Sequence, residues 1–230
     1  TGPQNANIIE AGYERKLGEI YSFSANAFFK TFGNISQVSN TGDITNEGEW
    51  DAAMVMGTGN TYGLELLLQK NEGDFTGWIS YSFGRSTRNF PELFAEDFLF
   101  TQDRTHMIKL YANLITLDNW NYGINYLIGS GSLYTLPIGK FRDIAGNLQL
   151  EYNTLNNYRS PMYQRLDISV IRIRDIIGAE QQWKFYLYNA LGNRNPLNIN
   201  ALFEDSSLTE LQINRNYIAF IPGVAYIVRF

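Results

Sequence analysis

The chain has 230 residues, no Cys and one His, and its 23 acidic residues outnumber its 18 basic ones. Without Cys it can form neither a disulfide nor a thiolate metal site, and its net charge of −5 argues against nucleic acid as the main partner. Charged residues make up 18% and aromatic residues 15%, which is typical neither of disordered chains nor of average soluble domains. This composition suits a β-rich protein with a large aromatic surface.

Neither a membrane helix nor a signal peptide is predicted from the sequence. No stretch approaches the roughly 18 consecutive apolar residues of a transmembrane helix. Residues 1–5 (TGPQN) do not begin a basic region followed by an apolar core. We therefore expect any signal peptide to lie outside this chain.

Apolar and polar residues alternate with a period of two in nine segments, which predicts nine strands and no long helix. In chain order the segments are 9–13, 21–29, 62–68, 75–83, 108–114, 120–128, 166–170, 183–187 and 224–230. Most of the predicted strands are longer than the typical 5 to 6 residues of soluble sheets. The pattern therefore indicates an antiparallel all-β protein.

The connections between these strands alternate between short and long. The short connections are near 17–19, 71–74, 116–119 and 177–180, and the long ones are near 39–60, 85–102, 131–162 and 192–214. In an up-and-down sheet all the short connections then lie at one end. Transmembrane barrels of the bacterial outer membrane have short periplasmic turns and long extracellular loops, so the sorting favours such a barrel.

Alternation alone does not decide which face meets which environment. In a soluble sandwich the apolar face is the core, whereas in a membrane barrel it faces lipid and the polar face lines the lumen. Tyr21, Trp120, Trp183 and Phe230 lie near strand ends, where interfacial aromatic girdles occur. This placement favours the barrel.

The last predicted strand and several internal motifs resemble those of one protein family. Gly223, Tyr226, Val228 and Phe230 resemble the C-terminal signal that the barrel-assembly machinery reads in outer-membrane proteins, through strand pairing. The internal motifs are NIIEAGYE at 7–14, YGLEL at 62–66, NYRSPMYQRLD at 157–167 and YNALGNRNP at 188–196. In this order they resemble strand motifs of TonB-dependent outer-membrane receptors.

The resemblance implies that residues 1–230 are the C-terminal part of such a receptor, about nine strands of a 22-stranded barrel. The N-terminal plug domain, through which the family contacts TonB, would lie outside this chain. The implied function is import of a large or scarce nutrient such as a siderophore, cobalamin, oligosaccharide or peptide. The implied partners are outer-membrane lipid, the barrel-assembly machinery and a surface lipoprotein, with no cofactor.

Candidate ligand contacts are aromatic and Arg residues of the long loops, since these residue types are enriched in binding hot spots. They are Trp50, Arg85, Arg88, Tyr134, Arg142 and Tyr158. The lone His106 is expected to have a structural role rather than a catalytic or metal-binding one. Glu10, Glu14 and Glu65 are expected to contribute polarity to a lumen and to pair with basic residues.

Two alternatives to the receptor stay open at this point. One is another outer-membrane barrel, such as a porin, adhesin or secretion channel. The other is a soluble β-sandwich that serves as a binding module. An enzyme is not expected.

Overall fold

The computed structural model describes residues 2–38, 54–203 and 211–229, and within these ranges the chain is all β. The strands are β1 (Asn5–Leu17), β2 (Tyr21–Val38), β3 (Met54–Lys70), β4 (Phe75–Asn89), β5 (Phe98–Leu99), β6 (His106–Ile115), β7 (Trp120–Gly129), β8 (Leu133–Tyr134), β9 (Gly139–Arg142), β10 (Leu148–Glu151), β11 (Tyr158–Arg159), β12 (Tyr163–Ile176), β13 (Ala179–Tyr188), β14 (Pro196–Phe203), β15 (Leu211–Tyr217) and β16 (Ile221–Arg229). In those ranges no helix is long and apolar enough to cross a membrane.

Nine long strands form one antiparallel up-and-down sheet. Its order is β1-β2-β3-β4-β6-β7-β12-β13-β16, and β5 adds a short pairing to β4. Each of the nine predicted strands corresponds to one of these, so their order and antiparallel pairing are confirmed. The described residues contain seven further strands, β5, β8, β9, β10, β11, β14 and β15, which the alternation did not predict. The sheet is open: β1 and β16 are its edges and do not pair with each other among the described residues.

The connections are sorted by length, as the sequence predicts. The short ones join β1 to β2, β3 to β4, β6 to β7 and β12 to β13, and they all lie at one end. In the last of these, Ile177 and Gly178 both have positive φ, 55° and 78°, as in the tight primed turns of two-residue hairpins. Short strand pairs (β8 with β11, β9 with β10, and β14 with β15) occupy two of the long connections.

Two central strands extend further than the sequence predicts. β3 begins at Met54, and β4 continues to Asn89, which pairs with Thr58. The prediction that Arg85 and Arg88 lie in a loop is therefore wrong, because both belong to β4. Beyond the apolar segment the side chains no longer alternate in polarity, although the backbone pairing goes on, and periodicity does not report that pairing.

The strand registers place most large apolar side chains on one face, which we call the outward face. Ile9 of β1, Ile124 of β7 and Val224 of β16 are 75%, 42% and 60% exposed. No second sheet covers this face among the described residues. The opposite face, the inward face, carries Ser, Asn, Gln, Glu and Lys together with apolar exceptions, which include Phe28, Leu67, Trp78, Leu127, Ile171, Ile173 and Ile227.

The buried apolar cluster lies at the long-connection end and not between two sheets. Val55, Phe90 and Phe98 form it, and Phe94 and Leu155 pack against it. Val55 is on the inward face, in the same alternating set as Glu65. The connections therefore fold over the end of the polar face and build the molecule's core there.

Candidate functional site

The inward face forms a concavity of about 500 Å³ over β2, β3, β4 and β6. Asn26, Glu65, Trp78, Ser80 and Lys109 are among its lining residues. Beside it, the Asn26 amide donates a hydrogen bond of 2.5 Å to the Glu10 carboxylate. This bond joins β2 to the motif-bearing strand β1. The arrangement supplies hydroxyl, amide and charged groups to whatever occupies this side.

Arg165 lies at the centre of a second polar group on the inward face. Its guanidinium is 4.7 Å from the centroid of the Tyr188 ring and donates to the hydroxyls of Tyr188 (3.2 Å) and Tyr163 (3.3 Å). Its Nε is 3.0 Å from Asp167 Oδ2 but makes no hydrogen bond, so that contact is an ion pair only. The positive charge of Arg165 is thus neutralised on its own strand.

Asn residues of the YNALGNRNP motif attach the end of β13 to β12. The backbone N–H of Asn189 donates to Asp167 Oδ1 at 3.0 Å, and the Asn189 side chain is almost fully buried. The Asn195 side chain donates to the Gln164 carbonyl at 2.6 Å, and the Gln164 N–H donates back to Asn195 Oδ1 at 2.9 Å. These motif residues fix the start of a long connection through their hydrogen bonds to β12.

A buried ion pair holds the long connections together. Arg159 Nη2 donates to Asp103 Oδ1 at 2.6 Å, and the Asp103 side chain is 0% exposed, against 27% for Arg159. Asp103 Oδ2 accepts the Ser86 N–H at 2.8 Å, and Arg159 Nη1 donates to the Gly131 carbonyl at 3.1 Å. One ion pair thereby links β4, the connection before β6, the connection after β7, and β11.

Arg88 lies beside a cavity of about 450 Å³, which is also lined by Phe90 and Phe98 of the buried apolar cluster. We call this cluster of Val55, Phe90 and Phe98 the loop core. Its guanidinium is sandwiched between the rings of Phe32 and Phe100, at 4.7 and 4.2 Å from their centroids. It donates to Ser86 Oγ at 3.1 Å. Thr135 and Asn156 of the third long connection line the same cavity. Arg88 therefore belongs to a strand but lies beside the connection that carries the predicted candidates Tyr134 and Tyr158.

Tyr134 and Tyr158, two of the predicted ligand contacts, are brought together. They are register partners in the β8–β11 pair and are both half-buried. Arg85 is exposed on the outward face of β4, opposite Tyr62. Arg142 is exposed and donates to the Gly146 carbonyl at 2.8 Å within its own hairpin. Trp50 lies outside the described residues.

The turn of the β9–β10 hairpin is organised by Asp143. Its carboxylate accepts the N–H groups of Asn147 (2.8 Å) and Ala145 (2.9 Å) and the side-chain amides of Asn147 and Gln149. These hydrogen bonds, the Asn147 backbone bond foremost, lower the pKa of Asp143. The ionised form of Asp143 is therefore the one that holds the turn.

The residues of the predicted assembly signal are divided between the two faces of β16. Tyr226 and Val228 are on the outward face, and Gly223 is on the inward face opposite Tyr186. A Cβ at Gly223 would overlap the Tyr186 ring, so the strand needs glycine here to let that ring lie across it. Phe230 lies outside the described residues.

Aromatic side chains form a row at each end of the outward face. At the short-turn end the row contains Tyr21, Phe75, Trp120, Trp183 and Tyr226, and at the other end it contains Phe29, Tyr62, Phe83 and His106. His106 Nδ1 and the Tyr81 hydroxyl share a hydrogen bond of 2.9 Å. The His106 ring packs against the Phe83 ring, with 5.4 Å between their centroids. His106 thus packs as an aromatic residue in this row.

Sequence reasoning missed Asp103 and Arg159 as an ion pair. They are far apart in the chain, and both lie next to residues that drew attention for other reasons, His106 and Tyr158. The one available signal was an Asp just before a strand and an Arg just before a Pro-containing entry to another strand. That signal identifies neither the partner nor the burial of either side chain.

No protein-family model matches the chain, and no curated protein is significantly similar to it in sequence. The resemblance to TonB-dependent receptors therefore stays a prediction that rests on the motifs.

Proposed function

We propose that the nine strands form an arc of a transmembrane β-barrel in the bacterial outer membrane and that the barrel imports a large or scarce nutrient, as TonB-dependent receptors do. The observation that carries the proposal is the outward face. It is an apolar surface across nine strands, exposed in the described residues, with an aromatic row at the short-turn end and a second one over β2, β3, β4 and β6 at the other end. Soluble monomers rarely expose contiguous apolar patches above a few hundred Å².

The spacing of the aromatic rows suits a bilayer. Eight residues separate Tyr21 from Phe29 in β2, and eight separate Phe75 from Phe83 in β4. At about 3.4 Å per residue this is roughly 27 Å along the strand, or about 21 Å along the membrane normal at a tilt of about 40°. With the height of the rings themselves, this approaches the apolar band of about 25 Å in outer-membrane barrels.

The edges of the sheet support an arc rather than a complete sheet. β1 is exposed along all 13 of its residues, and β16 ends the other side. Long, unpaired edges in water are sites of aggregation, whereas further strands on both sides would satisfy their backbone groups. A barrel of about 22 strands, which the resemblance implies, would use this sheet as rather less than half of its wall.

The inward face and the packed connections supply the ligand-handling parts of the proposal. The concavity around Trp78 and Lys109 would line the lumen. The loop core and the 450 Å³ cavity beside Arg88, Thr135 and Asn156 lie at the long-connection end, which faces outside the cell in such barrels. A ligand would therefore meet the Arg88 region first.

The experiment separates the barrel from its rivals in two steps. The intact protein should fractionate with the outer membrane and float with phospholipid vesicles; a monomer that stays in the aqueous fraction would support the sandwich instead. Cells that carry the protein should then be offered labelled ferric siderophore, cobalamin, oligosaccharide and peptide. One class should accumulate, and a protonophore should abolish its uptake; uptake that resists the protonophore would indicate a passive porin, and no uptake would contradict import.

A further inference from the structure

Four side chains on the outward face form a continuous row at the short-turn end. Trp120 of β7 is the register partner of Arg172 of β12. Arg172 in turn pairs with Trp183 of β13, and Trp183 pairs with Tyr226 of β16. The Arg172 guanidinium is 4.7 Å from the centroid of the Trp120 ring, and the Trp183 and Tyr226 rings are 4.5 Å apart. Arg172 thus lies between two tryptophans in the strand register, and its guanidinium is stacked on the first of them.

Arg172 has no anionic partner in the described part of the chain. It makes no ion pair or hydrogen bond there, and its Nε is buried without an acceptor. Arg165 and Arg229 differ, because Asp167 lies 3.0 Å from the first and Glu180 lies 3.1 Å from the second. A guanidinium held on an indole without a counter-ion leaves its N–H donors for an anion from outside the chain.

The surrounding charges favour an anion on this face. Arg174, two residues further along β12, is also on the outward face and is exposed. The nearby carboxylates of Asp175 and Glu180 are register partners on the inward face. The outward surface of β7, β12, β13 and β16 thus carries two cations and no acidic residue within the described residues.

The position identifies the anion. We propose that Arg172, between Trp120 and Trp183, binds the phosphate of a glycerophospholipid head group. The planar guanidinium matches the geometry of phosphate oxygens, and tryptophans mark the level of head groups in membranes. Toward the middle of the sheet, Val170 and Ile168 continue the same face and provide an apolar track for an acyl chain. The inference rests on the proposed insertion of this face into lipid.

The test measures lipid binding by the intact protein in dodecyl maltoside micelles. Dioleoylphosphatidylglycerol is titrated, and the affinity of the first bound lipid is read by native mass spectrometry for the wild type, Arg172→Gln and Arg174→Gln. The second variant is the matched control, since it removes the same charge from the same face of the same strand but pairs with Gln181 instead of a tryptophan.

We expect Arg172→Gln to lower the affinity for the first bound lipid at least tenfold and Arg174→Gln to lower it less than threefold. Trp120→Leu, which keeps the charge but removes the stacked ring, should weaken it about threefold. Dioleoylglycerol, which lacks the phosphate, should bind all forms alike. Equal affinity of wild type and Arg172→Gln, or equal losses in both Arg variants, would overturn the proposal.

Glycerol 3-phosphate separates a lipid site from a site for free phosphate. At the same concentration as the lipid it should leave the bound lipid in place, and displacement would overturn the lipid assignment. Flotation with phosphatidylglycerol vesicles distinguishes the two proposals. A wild-type protein that does not float refutes the membrane function itself, whereas wild type and Arg172→Gln that both float but bind lipid equally refute only the head-group site.

Discussion

Ile124 and Asn125 are neighbours in β7 that face opposite sides of the sheet. If the outward face meets lipid, Ile124→Arg should lower the free energy of unfolding by about 2–4 kcal/mol, because a charged side chain near the bilayer midplane is costly. Leu66→Arg, on the outward face of β3, should behave in the same way. The measurement is a denaturant titration of the protein in phospholipid vesicles.

Asn125→Arg is the matched control for Ile124→Arg. Asn125 faces inward, where Asp167 is its register partner, so an Arg there meets water and an opposite charge. We expect a change of less than about 1 kcal/mol. Equal costs at the two positions, or a larger cost at Asn125, would mean that the outward face does not contact lipid.

Asp103 and Arg159 give a second prediction at this scale. Asp103→Asn leaves the Arg159 guanidinium without its counter-ion among the connections, and breaking a buried pair costs about 3–5 kcal/mol. Since Arg159 is 27% exposed, the lower end is expected. When protease is added to intact cells, the long connections of the Asp103→Asn variant should be cleaved faster than those of the wild type. The amount of protein in the membrane should stay the same.

Arg142→Gln serves as the control for this loop experiment. Its guanidinium donates only to the Gly146 carbonyl among the contacts that the structure describes, so protease sensitivity at the other connections should not change. Cleavage that is unaltered by Asp103→Asn would show that the ion pair does not hold the connections together.

At the scale of elements, β16 depends on the close approach of Gly223 and Tyr186. Gly223→Val should force the Tyr186 ring off the strand and destabilise the β13–β16 pairing by about 1–3 kcal/mol, the usual cost of overpacking. The expected result is less protein in the outer membrane, measured by immunoblot of the fractionated envelope.

A second variant separates packing from recognition at Gly223. Tyr186→Ala removes the ring, so the double variant Tyr186→Ala with Gly223→Val should recover part of the lost protein. No recovery would indicate that Gly223 is required for reading by the assembly machinery and not for accommodating Tyr186.

The β9–β10 hairpin gives a prediction about pH. The pKa of Asp143 is lowered by hydrogen bonds from Asn147, Ala145 and Gln149, so its contribution to stability is present above the ordinary aspartate pKa. That contribution is lost as the pH falls through the lowered value. Amide hydrogen exchange at Asn147 should therefore accelerate in that acidic range, and Asp143→Asn should remove this pH dependence.

Most of the sheet could be predicted from the sequence because each long strand alternates over most of its apolar segment, with exceptions such as Phe28, Leu67 and Trp78. The pattern found all nine strands, their order and the sorting of their connections. The pattern failed at the long-connection ends of β3 and β4, where Gly57, Gly59 and polar residues on both faces remove the alternation. The two-residue strands β8 and β11 are too short to carry a period, and their pairing depends on distant partners.

The candidate site was less predictable than the sheet. Tyr134 and Tyr158 were chosen separately as loop aromatics and turned out to be register partners. Arg85 was chosen by the same rule but faces outward, because its position in β4 fixes its direction and its residue type does not. The Asp103–Arg159 pair depends on a long-range contact that no local pattern encodes.

At the scale of the whole molecule, one mainly apolar face and one mainly polar face extend over nine strands, and no second sheet covers either face in the described part of the chain. A soluble protein of this shape would leave its largest apolar surface in water, whereas a membrane protein would place that surface in lipid. The orientation of the two faces is therefore the central claim, and Asp103, Gly223 and Arg172 have their proposed roles only within it.

The most direct test is accessibility along β7 of the intact protein in lipid bilayers. The natural chain has no Cys, so single Cys residues can carry nitroxide spin labels at Tyr122, Ile124 and Tyr126 on one face and at Asn121, Asn125 and Leu127 on the other. We expect the first three labels to collide mainly with oxygen dissolved in lipid and the second three mainly with a water-soluble nickel complex. Equal nickel accessibility on both faces, or a reversed pattern, would contradict the membrane orientation of the sheet.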